Sequence, residues 1–278
     1  MTIDMEYSPI QRVIGMADQP LPLEDPFLRL AVQEIESTYG DTVSVDQKAK
    51  SLLKFGRNDS LNTATYETVW MEGGHEVDAT GNDIDSIVSS DGSDVQTINI
   101  EGHTLSGSDL TFVAQSATLT GQMGATLTTP LYRASRMYNT GTTDFAGTVR
   151  AYEDTALSGG EPIDTTKIHL TATGDKNQTE KAATSFESDT YAIITSMYVS
   201  VNLKTTGAVD FNFQMREFGK VWRSIFEISA HSQGNAGFHH FQPYRIIKPN
   251  TDVRVIAKAS ANGIECAAGF SAVLAVVT

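Results

Sequence analysis

Eight consecutive residues, Val209 to Arg216, alternate apolar and polar without an exception. Successive side chains of an extended strand leave it on opposite faces. The run therefore predicts Val209, Phe211, Phe213 and Met215 on a core and Asp210, Asn212, Gln214 and Arg216 in water. A half-buried antiparallel sheet is the structure that uses such a pattern. The same period returns in Val199/Val201/Leu203, Val253/Val255/Ala257, Ile98/Ile100 and Ile168/Leu170/Ala172, each bounded by turn-forming residues. Strands are expected near 66–71, 96–101, 110–119, 125–133, 147–152, 167–173, 191–203, 208–217, 220–230, 238–247, 252–259 and 266–277. Gly73-Gly74, Gly107-Ser108-Asp109, Ser158-Gly159-Gly160, Gly234-Asn235 and similar pairs separate them. Many short strands with no intervening helical pattern predict an all-β protein: an antiparallel β-sandwich, jelly-roll or Ig-like, or two packed β-domains.

The first 60 residues differ. Pro9, Pro20, Pro22 and Pro26 are half of the eight prolines and break this stretch into extended pieces. One short helix is expected from Asp25 to Thr38, with Asp25 as N-cap, Pro26 in the first helical position and Gly40 beyond the end. A second helical turn is expected from Asp46 to Phe55, with Leu52, Leu53 and Phe55 as its apolar side. The reading is an N-terminal arm over 1–60, a first β-domain over 61–175 and a second over 176–278, with a polar seam at 174–190. The final run, Ala272 to Val277, is apolar on both parities, as in a strand covered on both faces.

A net charge of −14, with 20 scattered basic residues, opposes a nucleic-acid surface, which needs a Lys/Arg stripe. The N-terminus has no basic segment leading into an apolar one, and no apolar run is long enough to cross a bilayer, so no membrane partner is expected. The single cysteine, Cys266, has no partner for a disulfide within the chain and reads as a small buried hydrophobe.

Candidate site residues divide into three groups. His239 and His240 are adjacent, so a strand sends their rings to opposite faces and they cannot share one metal ion; with His231 they can offer only single ligands at a subunit axis. Asp78, Asn82, Asp83, Asp85, Asp91 and Asp94 offer oxygens that calcium would accept, although the spacing is not that of the helix-loop-helix calcium motif and solvated Asx turns explain them equally. Trp70 and Trp222, with Tyr132, Tyr138, Tyr152 and Phe238, could form a sugar-stacking platform. Trp222 shares the parity of Phe226 and Ile228, which sends it to the core instead. No nucleophile elbow, phosphate-binding glycine loop or zinc spacing occurs. The expectation is no catalytic residue, no cofactor and no metal.

Four blocks, Thr65 to Trp70, Ile100 to Leu105, Tyr138 to Gly141 and Lys248 to Val255, resemble structural proteins of tailed bacteriophages, of the capsid-decorating or cement kind. The resemblance implies a non-enzymatic virion protein, assembled in a host cytoplasm, that binds the major capsid protein or other virion proteins as a homotrimer. Under it the proline-punctuated N-terminal segment would serve as an arm clamping neighbouring subunits. The alternatives are a tail or fibre adhesin for host glycan and a carbohydrate-active enzyme.

Overall fold

A computed structural model describes residues 25–44, 51–75, 77–202, 206–232 and 236–278. Pro9, Pro20 and Pro22, residues 46–50 of the second expected helix, Leu203 and the Gly234-Asn235 turn lie outside the described residues. In chain order the elements begin with helix α1 (Pro26–Glu34) and strands β1 (Val43–Ser44), β2 (Ser51–Asn58) and β3 (Glu67–Thr68). There follow β4 (Ile84–Ser89), β5 (Thr97–Ser106), β6 (Asp109–Thr118), β7 (Ala125–Leu131), β8 (Arg133–Asn139), β9 (Val149–Glu153), β10 (Leu157–Ser158), β11 (Glu161–Pro162) and β12 (Ile168–Ala172). The chain closes with β13 (Ala183–Ser185), β14 (Thr190–Val201), β15 (Ala208–Glu217), β16 (Arg223–His231), β17 (Gly237–Ile247), β18 (Thr251–Ala259) and β19 (Cys266–Val277).

The molecule is an all-β sandwich protein. One sheet runs β2-β19-β14-β17, with β1 pairing the end of β19, and the facing sheet runs β13-β18-β15-β16, with β3 also pairing β18. From β14 onward only the β15–β16 hairpin stays within a sheet; every other connection crosses. This strand order is that of a jelly roll, one of the two folds expected. Its core holds Phe211, Phe213 and Phe270, with Val199, Val253 and Val255 around them. Between β3 and β13 a second sandwich is inserted, in which the sheet β12-β9-β4-β7 packs on β6-β5-β8 around Ile84, Ile98, Ile100, Leu131 and Met137.

The N-terminal helix forms as expected but shorter. Asp25 Oδ1 accepts from the Phe27 and Leu28 amides at 2.8 and 3.2 Å, Pro26 occupies the first turn, and Gly40 at φ 75° ends the wider turn that follows α1. The helix lies on the outer face of the first sheet, where Ala31 and Ile35 meet Tyr191, Ile193 and Ala275. β19 is accordingly a central strand: Phe270 and Ala272 enter the jelly-roll core and Ala275 lies under α1, while Val276 is exposed.

Three expectations need correction, and one strand carries no signal in the sequence. Residues 51–55 of the second expected helix are strand instead, because residues 51–58 pair with β19 along its Cys266–Val273 length; the strand-pairing partner overrides local helix preference. β4 carries no clean alternation, yet it is a central strand with Ile84, Ile87 and Val88 fully buried. The expected strand at 125–133 breaks at Tyr132 into β7 and β8, which belong to opposite sheets of the insert. Finally, Asn212 is buried rather than in water: on the outer face of β15 it donates to Glu227 Oε1 at 2.7 Å.

Candidate functional site

The structure separates the acidic residues at 78–94 instead of gathering them round an ion. Asp78 turns to Arg216 and Arg133, Asn82 bonds the backbone of Leu105, and Asp83 accepts from Thr80. Asp91 is a solvated turn that accepts the Ser93 amide and hydroxyl. Asp94 is fully buried and receives the Ser89 hydroxyl and the Ala146 and Gly147 amides at 2.5, 2.8 and 3.0 Å. Burial raises the Asp94 pKa, but these donors outweigh it and hold the carboxyl below its ordinary range. It is a loop organiser. Among the described residues, no group of three or more His, Cys, Asp or Glu side chains is placed to hold a metal.

The aromatic platform is likewise dispersed. Trp70 and Tyr152 are buried, and the Trp70 indole N–H donates to Gly73 O at 2.7 Å. Trp222 does not enter the core. β16 carries a bulge at Ile225, so that Phe213 faces Phe226 while Gln214 faces Ser224; the extra residue inverts the parity and turns Trp222 to the outer face. There its ring lies 4.0 Å from the Arg254 guanidinium and 4.4 Å from that of Arg216.

The histidines divide as their neighbours dictate. His239 stacks on Phe226 at 4.2 Å, while His240 faces Phe238 at 4.4 Å on the opposite side of β17. His169 is buried with Nε2 3.0 Å from Glu153 Oε1. Cys266 is buried, and burial pushes its thiol pKa up to about 12, which makes it inert.

The best-built polar cluster was invisible in the sequence because its members are far apart along the chain. It joins the two sandwiches. Asp252 of β18 accepts from Arg216 Nη2 at 2.5 Å, from Ser185 Oγ at 2.6 Å and from Arg133 of the insert at 3.4 Å. Asp78 closes the circuit with Arg216 at 2.5 Å and Arg133 at 3.4 Å. These carboxylates raise the Arg216 pKa despite the opposing cost of its burial. Arg133 and Arg216 face Asp78 and Asp252 across the junction of the two sandwiches, so the arrangement acts as a clamp. Losing one member would leave a buried charge unpaired.

Beside the clamp, a groove of about 830 Å³ opens between β2 and the insert, with Leu52, Phe55, His103, Phe112 and Phe186 among its lining. His103 is 3 % exposed, and burial drives its pKa down to about 4. The ring is therefore neutral near pH 7, and its Nδ1 has no hydrogen-bond partner.

The fold and these sites define a jelly-roll protein carrying an inserted β-sandwich, the two clamped by an ionic cluster. No protein family matches the sequence, and no curated protein sequence does. Among solved structures, the chain is similar to the Gt strain of infectious bursal disease virus at 10 % identity and a TM-score of 0.24, over 91 % of this chain and 78 % of that one. T=1 particles derived from the same virus give 11 % identity and a TM-score of 0.23, over 91 % and 75 %. Its VP2 subviral particle gives 10 % and 0.19, over 91 % and 78 %. Scores this low establish no shared fold.

Proposed function

We propose that the chain is a non-enzymatic structural protein of a virion, of the capsid-stabilising kind, that works by binding copies of itself and a neighbouring shell protein. The observation that carries this is the jelly-roll strand order with a second sandwich inserted in it. Jelly rolls build viral capsids and also lectins. The burial of Trp70 and Tyr152, and the position of Trp222 over two guanidinium groups, weigh against a sugar platform and so favour the first use.

A tail or fibre adhesin is the second reading. It is favoured by Val95, Met123 and Ile163, exposed at 66, 71 and 64 % on loops of the insert. Cryo-electron microscopy of purified particles separates the two. Density for the chain on the head shell supports capsid stabilisation, density at a fibre tip supports the adhesin, and absence from particles refutes both.

A further inference from the structure

The two sides of the jelly roll are finished differently. On the side of β2, β3 and β13, chain returning from the insert covers the edge: the Arg57 amide donates to Glu180 O, the Ala182 amide to Val69 O and the Val255 amide to Ala182 O. On the other side, β16 pairs only with β15 and β17 only with β14. The two strands lie together there, joined by the Phe226–His239 stack, and each presents an edge that no described strand pairs. A long open edge is a template for another strand, and proteins usually blunt it with Lys, Pro or a cover. β16 has neither Lys nor Pro, and β17 has one proline, Pro243, within the irregular stretch between His240 and Arg245. The rim of the core is reached from this side: Ile225, Phe226 and Ile228 are half-buried against it, and Phe238, on the opposite face of β17, is 59 % exposed.

We infer that this side is the contact between two copies of the chain, with β16 pairing antiparallel to β16 of the second copy about a two-fold axis at Ser229. Charge selects the occupant. In a chain of net charge −14, β16 and β17 carry only Arg223, Glu227 and Arg245 as full charges, and the Asp210 carboxylate beside the axis is held by the Ser229 hydroxyl at 2.6 Å, so two acidic copies meet here with little repulsion. Register selects the geometry. Beyond the bulge, Glu227, Ser229 and His231 share the outer face, and a two-fold at Ser229 sets Glu227 of each copy opposite His231 of the other. The β16 sheet then continues into the neighbour, and the half-buried Ile225, Phe226 and Ile228 at the rim of the core are covered. The inference rests on the structural-protein reading for why copies meet at all.

Sedimentation equilibrium of the full chain over a wide concentration range tests it. The wild type is expected to dimerise. His231→Asp places a carboxylate opposite Glu227 twice per dimer and should weaken association about tenfold or more. The exchange Glu227→His with His231→Glu should restore it. If a variant fails to fold, hydrogen exchange on the wild type decides, because β16 amides gain protection with concentration only if the edge is paired. A monomer at every concentration overturns the contact while leaving a virion role standing, as incorporation into particles would show. A dimer indifferent to His231→Asp overturns the register, and a trimer overturns the two-fold.

Discussion

Replacing Phe213 with alanine probes the alternation on which the fold reading rests. The ring is fully buried, stacks on Phe270 at a centroid distance of 5.0 Å and sits 6.5 Å from Phe241. Removing such a ring forfeits its transfer free energy and leaves a cavity, together about 3–5 kcal/mol. The stacked partner puts Phe213 towards the upper end, since ring pairs add about 0.5–1.5 kcal/mol beyond burial. Domain stabilities are about 5–15 kcal/mol, so the loss is a large fraction of the total. Its neighbour Asn212 makes a sharp control. Asn212→Ala removes one hydrogen bond to Glu227, but also an amide oxygen that has no partner, for a net cost of about 1 kcal/mol or less. Urea unfolding followed by tryptophan fluorescence is the assay. Both tryptophans belong to the jelly-roll side, Trp70 next to core residue Val69 and Trp222 just before β16, so their signal reports this core. If Asn212→Ala proved more destabilising than Phe213→Ala, the assignment of faces on β15 would be wrong.

Asp94→Ala should cost about 1–3 kcal/mol, because it strands the buried Ser89 hydroxyl and two part-buried amides; thermal unfolding reads it. Since the folded Asp94 pKa is depressed, its contribution is present above the ordinary carboxylate range near about 4 and is lost as pH falls through the folded value. Asp94→Asn should therefore flatten the acid limb of a stability–pH curve. His103 works over a different window. Its folded pKa of about 4 lies below the unfolded value near about 6.5, so protonation favours the unfolded chain and stability drops by roughly 3 kcal/mol between pH 6.5 and 4. A curve measured on His103→Leu that kept the whole of this drop would assign it elsewhere. Gly56→Ala places a methyl 2.0 Å from Val69 O and 2.3 Å from Ala182 N, which are themselves hydrogen-bonded to each other, so the variant should lose several-fold in soluble yield and unfold at lower urea.

Period-two alternation, the Asp25-Pro26 start and Gly40 stop of the helix, and the doubly apolar final strand are local signals. They named the all-β class, the core faces of β15 and the cover on both faces of β19 because each depends only on where neighbouring side chains must point. Cys266 could likewise be read as buried from its small apolar neighbours. Other features turned on partners remote in the chain. Residues 51–58 become a strand because β19 offers an edge, and Trp222 leaves the core because one extra residue at Ile225 inverts the parity that sequence counting assumes. The clamp of Asp78, Arg133, Arg216 and Asp252 spans 174 residues between its first and last members, and no spacing rule connects them. The open side of the jelly roll belongs to the same class. Whether a strand's second edge is paired depends on what the rest of the chain brings beside it, and only the tertiary structure decides that.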